Sequence, residues 1–179
     1  MRTPTILRSI HARAWRVFYV RPRAEKKAAE RLAADGFEVF VPLRAAVRQW
    51  SDRKQRVAEP LFRGYLFAHA DERQRLGILE DPGIVKSLFF AGRLVEVTEE
   101  EITHLRALVT LPDAIEAVTM GAFPVGTDVL VQRGPLAGVR GRVTSHPSGL
   151  HLVVEIPSIS HAVRLKVPAD WVMRVAEAA

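Results

Sequence analysis

Three observations predict an α+β chain, with an N-terminal antiparallel sheet carrying helices on its faces and a small C-terminal five-stranded β-barrel. Up to about residue 110, aromatic and β-branched runs alternate with two-faced helical stretches, in the order strand, helix, strand, strand, helix, strand, helix. From residue 125 the texture changes to short alternating segments cut by glycine and proline. Apolar residues make up 48% of the 179, enough to fill two small cores.

Trp15 to Val20 is the first strand, with Trp15, Val17 and Tyr19 on one face and Phe18 and Val20 on the other. A basic arm, 1–14, precedes it. Ala24 to Asp35 is a helix whose apolar stripe is Ala28, Ala29, Leu32 and Ala33, stopped by Gly36 at the position after its C-cap. Phe37 to Val47 reads as one long strand, and Arg48 to Arg56 has the composition of a basic hairpin tip. Glu59 to Ala68 reads as a central strand with Phe62 and Leu66 on one face and Leu61, Tyr65 and Phe67 on the other. Gly64 within it marks a bulge or a close backbone approach.

Asp71 caps a short helix to about Leu79, and Asp81-Pro82-Gly83 is the following turn. Ile84 to Phe90 is a strand that turns at Ala91-Gly92 into Leu94 to Val97. Thr98-Glu99-Glu100-Glu101 is a capping box for a helix carrying Ile102, Leu105, Leu108 and Val109, ending near Thr110. The domain boundaries are therefore 15–110 and 125–176, with 111–124 as a linker. The five barrel strands centre on Val129/Val131, Val139/Val143, Leu152/Val154/Ile156, Val163/Leu165/Val167 and Trp171/Met173/Val175.

Charge is localised. Met1 to Arg63 holds 15 Lys and Arg against 6 Asp and Glu, Gly64 to Thr110 holds 5 against 8, and the remainder 6 against 6. All of the net +6 thus comes from the first third, which predicts a local surface for a polyanion. Arg21, Arg23, Lys27 and Arg31, at the end of the first strand and along the next helix, are its expected members, with Arg53, Lys54 and Arg56 from the hairpin tip.

Catalytic patterns are absent. The six histidines show no metal-ligand spacing, and with no cysteine there is no disulfide or thiolate site. His69-Ala70-Asp71 reads as a strand end beside a helix cap. Gly134-Pro135-Leu136-Ala137-Gly138-Val139-Arg140-Gly141 lacks the Gly-Lys-Ser/Thr close of a phosphate loop, and Ser145-His146 has no third triad member. No enzyme, metal or other cofactor is expected, and no apolar run reaches the length of a membrane span.

Four stretches in order resemble the NusG transcription elongation factors: Trp15-Arg-Val-Phe-Tyr-Val with its basic helix, Glu59-Pro-Leu-Phe-Arg-Gly-Tyr-Leu-Phe, Pro82-Gly-Ile-Val with the Thr98-capped helix, and Val125-Gly-Thr-Asp-Val leading to the glycine-rich segment. The resemblance implies an N-terminal NGN domain and a C-terminal KOW barrel, whose turn residues would be Gly134, Pro135, Gly138 and Gly141. It further implies a cytoplasmic monomer that binds the clamp helices of RNA polymerase over the DNA channel and favours processive elongation. Tyr19, Tyr65, Phe67 and one of Phe89 or Phe90 would face the clamp. The basic residues would lie near DNA at the transcription bubble. Ile159 would contact a ribosomal protein or the termination factor Rho.

The family's usual Phe-Pro-Gly-Tyr is here Phe62-Arg63-Gly64-Tyr65, and the basic tip before it is more like the operon-specific paralogues of the RfaH type. In such paralogues the C-terminal module can form a helical hairpin. Here Pro135, Pro147, Pro157 and Pro168 oppose one, at about 3 kcal/mol for each proline inside a helix. The alternative reading is a KOW-type RNA- or ribosome-binding protein, against which stands the zero net charge of the C-terminal third.

Overall fold

Ala14–Val20 forms β1, which runs inside the sheet with a paired strand on each edge. Along one edge it pairs antiparallel with β5 (Tyr65–Ala70), placing Val17 opposite Phe67 and Tyr19 opposite Tyr65. Along the other edge lie β6 (Ile84–Ser87) and β9 (Glu96–Val97). β2 (Glu38–Phe40) adds to β5, so the sheet order is β2–β5–β1–β6, with β9 also on β1. These strands belong to a computed structural model that describes residues 12–49, 54–110, 115–119, 126, 128–133, 136–146, 149–166 and 172–174. The chain divides into two compact units, Met1–Val41 with Phe62–Ile102 and Pro42–Leu61 with Thr103–Ala179.

In the first unit, one face of the sheet packs into a core of Phe18, Val20, Leu66, Ala68, Ala70 and Ile84 with Ala28 and Leu32 of α1 (Glu25–Ala34) and Ile78 of α2 (Glu72–Ile78). The α1 stripe is narrower than expected: Ala29 is only partly buried and Ala33 is exposed. Its end follows local chemistry. Gly36 takes φ +86, its N–H donates to Ala33 O at 3.1 Å, and Phe37 N–H donates to Leu32 O at 2.9 Å, which is a Schellman closure. α2 starts in the expected way, with Gln74 N–H donating to Asp71 Oδ1 at 2.8 Å and Asp71 N–H to Gln74 Oε1 at 3.2 Å. α3 (Glu99–Val109) carries the reciprocal box at Thr98 and Glu101, and Ile102, Leu105 and Leu108 are buried on it.

The strand expected over Ile84 to Phe90 stops at Ser87. β7 (Phe89–Phe90) and β8 (Arg93–Leu94) then form a tight hairpin around Ala91 and Gly92, both at positive φ. That is the turn geometry whose twist matches a two-residue hairpin. Arg16 is buried beside this edge, donating through Nε to Ala70 O at 2.9 Å and lying within 3.8 Å of Glu72 and Glu96.

The expected Leu94 to Val97 strand divides at Val95 between β8 and β9, and two longer expected strands are broken as well. Phe37 to Val47 splits at Val41-Pro42 into β2 and β3 (Leu43–Gln49), because proline has no N–H for a ladder. The stretch from Glu59 to Ala68 is not one strand: β4 (Lys54–Pro60) ends, residues 61–64 turn, and β5 begins at Tyr65. The face assignment of Leu66 against Tyr65 and Phe67 survives, since it depends only on parity within β5. In the second unit β3 and β4 make a hairpin from Leu43↔Pro60 to Gln49↔Lys54, as its basic composition suggested. The tip itself, 50–53, lies outside the described residues.

The rest of the second unit is an antiparallel sheet in the order β10–β14–β13–β12–β11–β15. β11 (Asp128–Val131), β12 (Arg140–His146), β13 (Gly149–Ile156), β14 (His161–Lys166) and β15 (Val172–Arg174) match the five expected segments. A sixth strand, β10 (Ile115–Thr119), falls within the expected linker and pairs with β14 from Ile115↔Leu165 to Thr119↔His161. Its alternating Ile115, Ala117 and Thr119 are interleaved with Glu116 and Val118, a pattern too short to distinguish from a loop until a partner strand is present. Among the described residues of this module the only helix is a 3-10 turn at Pro157–Ile159.

Candidate functional site

The residues expected to face a protein partner are brought together by the β1–β5 pair, but not all at the surface. Tyr19 and Tyr65 stand directly opposite, with ring centroids 5.2 Å apart and planes tilted by 53°. Burial pushes the Tyr65 hydroxyl above its ordinary pKa, and the Tyr19 hydroxyl bonded to it adds to the shift. Lys86, paired with Tyr19 across β1–β6, lies with Nζ 5.9 Å from the Tyr19 ring centroid, a cation–π contact. Tyr19 is 39% exposed, whereas Tyr65 is 9% and Phe67 0%.

Phe67 is therefore a core residue, its ring 6.2 Å from that of Phe40. Strand parity placed it correctly on the face of Tyr65, but parity says nothing of what covers a face. Phe89 and Phe90 are 56% and 73% exposed on the β7–β8 hairpin. That hairpin is rooted on β1 by the Leu88 N–H, which donates to Val17 O at 2.8 Å, two residues from Tyr19. The exposed aromatics of this edge are thus Tyr19, Phe89 and Phe90.

The cations divide differently from the expectation. Arg21, Arg23 and Lys27 are exposed at the end of β1 and on the first turn of α1. Arg31 is not free: its Nε and Nη2 donate to the two carboxylate oxygens of Asp81, both at 2.7 Å. The Arg31 guanidinium holds the Asp81 carboxyl below its ordinary pKa, burial opposes this, and the Gly83 N–H, donating at 2.7 Å, reinforces it. A Cβ on Gly83 would stand 3.0 Å from both Arg31 Nη2 and Asp81 Oδ1, so only glycine leaves this clasp undisturbed. Of the hairpin cations, Arg56 is exposed on β4, Arg53 lies outside the described residues, and Lys54 is described only as backbone.

The Asp81 pair carries a pH signature. A carboxyl whose folded pKa is depressed contributes stability that is complete above its unfolded pKa and lost as pH falls through the folded value. The stability difference between the wild type and Asp81→Asn, read by urea denaturation, is expected to be largest at neutral pH. It should shrink as the pH drops below the ordinary carboxylate range, near ~4. A difference independent of pH would contradict the charged clasp.

The Tyr65 turn is held by Gly64, which the sequence singled out, and by Glu25, which sequence reasoning missed. Gly64 takes φ +80, its O accepts from Val20 N–H at 2.8 Å, and its N–H donates to Glu25 Oε1 at 2.8 Å. Glu25 is buried. A glutamate in the first turn of α1 gives no sign in the sequence of a partner 39 residues away. Arg63, beside Gly64, is exposed, and its place in Phe62-Arg63-Gly64-Tyr65 was the available signal.

In the second unit, Gly138 at φ +91 donates to Val131 O at 2.8 Å, and Val131 N–H returns a bond to Val139 O at 2.8 Å. Gly141 pairs with Val129, while Gly134 and Pro135 lie outside the described residues. Ile159 is buried at the 3-10 turn, so its side chain as placed offers no contact area to a partner. Arg142 donates to Asp128 at 2.8 Å and holds that carboxyl below its ordinary pKa. Among the described residues there is no group of three or more His, Asp or Glu placed to hold a metal, and no helix is long and apolar enough to cross a membrane.

Comparison with known proteins gives a consistent picture. The family model described as NusG, transcription termination factor nusG, matches residues 13–106, just over half of the chain. No curated protein matches. A solved structure of Thermotoga maritima NusG, concerned with its domain interaction, is 18% identical and covers 91% of this chain and 97% of its own, with a TM-score of 0.58. The MjSpt4:Spt5 complex in conformations A and B is 15% and 16% identical, covering 90% and 91% of this chain and 97% of each of theirs. Their TM-scores of 0.31 fall too low to compare folds. With its antiparallel sheet, flanking helices and matched family model, the chain belongs to the NusG family and is a non-enzymatic transcription factor.

Proposed function

We propose that this chain binds the clamp helices of RNA polymerase and promotes processive, antiterminating elongation at a limited set of operons. The observation that carries the reading is the Tyr19–Tyr65 pair, with the Tyr19 ring exposed at the same β1 edge as Phe89 and Phe90. Exposed aromatic rings set on a rigid strand pair are good anchors for a protein surface, since they offer contact area with little side-chain entropy to lose. Arg21, Arg23 and Lys27 at the adjacent end would face DNA. Operon specificity rests on Phe62-Arg63-Gly64-Tyr65 in place of the family's proline form. The alternative of RNA or ribosome binding through the C-terminal third is weakened by its neutral charge balance, 6 Lys and Arg against 6 Asp and Glu over residues 111–179, and by the Arg142–Asp128 pair.

Tyr19→Ala tests the surface at a smaller cost to the core than Phe67→Ala, because Tyr19 is half-exposed and Phe67 is fully buried. Loss of an anchoring aromatic is expected to weaken polymerase binding roughly thirtyfold, about 2 kcal/mol, with the urea midpoint little changed. Unchanged polymerase affinity would overturn the docking face. Occupancy across all transcribed genes, mapped by chromatin immunoprecipitation, would overturn the operon specificity.

A further inference from the structure

We infer that Arg75 is a positioning residue for the docking face: directly through Ser87, and through Glu72 to Arg16 and Glu96, it braces both stems of the β7–β8 hairpin and so fixes where Phe89 and Phe90 stand. The inference rests on the docking reading above and names the side chains that hold its most exposed aromatics in place.

The hairpin cannot hold a direction by itself. Only two residues of β7 pair with two of β8, Phe89↔Leu94 and Phe90↔Arg93, and an isolated two-stranded ribbon is marginal in water even when longer. It is an excursion from one line of pairing along β1. β6 follows that edge as far as Ser87, opposite Phe18, and β9 resumes on it at Glu96, opposite Arg16. Residues 88–95 leave the line opposite Val17, where Leu88 N–H donates to Val17 O at 2.8 Å and Val95 N–H donates to Leu88 O at 2.9 Å. The path of the hairpin is therefore set at its two roots, Ser87 and Glu96.

Both roots belong to one cluster of side chains. Arg75 donates from Nη1 to the Oγ of buried Ser87 at 3.0 Å, and from Nε and Nη2 to the two carboxylate oxygens of Glu72 at 2.9 and 2.6 Å. Glu72 Oε2 lies 3.7 Å from Arg16 Nη1, and the same nitrogen lies 3.8 Å from Glu96 Oε1. The Arg16 guanidinium is buried, and a buried cation is costly unless carboxylates face it. Moving Glu96 away would strip Arg16 of one of its two counter-charges, so β9 is held where it rejoins β1. A guanidinium fork can grip a carboxylate and a hydroxyl at once, which a single ammonium does not. α2 does not need this grip to stay on the sheet, since Ile78 is packed in the core and the Asp71 box closes its first turn. What Arg75 adds is the link from α2 to the hairpin.

The test uses the full chain, its affinity for purified core RNA polymerase, and amide hydrogen exchange of the free protein. Arg75→Met keeps the aliphatic stem and removes the fork. It is expected to weaken polymerase binding about tenfold, because the hairpin must then be ordered on binding, and to speed exchange at Leu88 and Val95 while exchange in α1 stays slow. In a Phe89→Ala, Phe90→Ala background the same substitution should change affinity by less than about twofold, since a positioning residue acts only through what it positions. Arg73→Gln, which removes one charge from an exposed position on α2, should leave affinity and exchange near wild type. If Arg75→Met lowers the urea midpoint, Ser87→Ala gives the second reading. It removes the hydroxyl at the root and keeps the ion pairs, and about a threefold loss of affinity is expected; wild-type affinity there overturns the inference. Arg75→Met with unchanged affinity and exchange overturns it too, as does a loss equally large in the double-alanine background, because Arg75 would then act through general stability or a contact of its own. Wild-type affinity of the double-alanine protein removes the hairpin from the docking reading. Exchange at Leu88 and Val95 then decides the brace by itself: acceleration in Arg75→Met upholds it, and no change overturns it.

Discussion

Phe67→Ala is expected to lower the stability of the first unit by about 3–5 kcal/mol, the usual cost of emptying a buried phenylalanine site. The side chain is fully buried on β5, opposite Val17 and 6.2 Å from the Phe40 ring. The expectation separates two roles that the sequence could not. A surface aromatic reserved for a partner would cost within about 0.5 kcal/mol when truncated, and its loss would be felt only in binding. Urea denaturation measures the difference directly. A loss below about 1 kcal/mol would show that Phe67 is not part of the core, and it would then belong again with Tyr19 at the docking face. Tyr19→Ala, half-exposed, provides the internal contrast, with stability retained and polymerase binding impaired.

Glu25→Ala should cost about 2 kcal/mol, and Glu25→Gln clearly less. The alanine variant leaves the buried Gly64 N–H without an acceptor, and an unsatisfied buried donor costs about 1–3 kcal/mol. Glutamine retains a carbonyl oxygen near the place of Oε1 and can still accept. The effect matters beyond stability, because Gly64 O is also the acceptor for Val20 and the turn delivers Tyr65 to Tyr19. Amide exchange at Gly64 should therefore accelerate strongly in Glu25→Ala while exchange in α2 stays slow. Equal stability of wild type and Glu25→Ala would mean that water satisfies the N–H, and that the turn is held by its glycine geometry alone.

Much of the architecture was legible because its causes are local. The capping boxes at Asp71 and Thr98 join residues three apart, the Gly36 stop joins residues within one helical turn, and the Ala91-Gly92 turn lies between two adjacent strands. The five alternating segments beyond residue 125 became five strands for the same reason, since a period of two is written in neighbouring residues. Where the reading failed, the cause was a partner far along the chain or a single local breaker. Pro42 interrupts a run that otherwise alternates well, and Leu61 and Phe62 are as apolar as the strand that follows the turn. Ile115–Thr119 became a strand through β14, some fifty residues later.

The candidate site follows the same division. By itself the sequence determined that Tyr65 and Phe67 share a face, that the first third is basic, and that Gly64 occupies a special backbone position. Those are matters of parity, composition and the missing Cβ. Only the tertiary structure decided that Phe67 is core, that Tyr19 is the exposed member of the tyrosine pair, and that Ile159 is covered. It also decided which cations are free: Arg31 meets Asp81 fifty residues away, while Arg63 meets no carboxylate among the described residues. Burial and ion pairing are properties of which distant side chains arrive at a point in space. A one-dimensional pattern carries the face on which a residue stands, but not what the folded chain brings to that face.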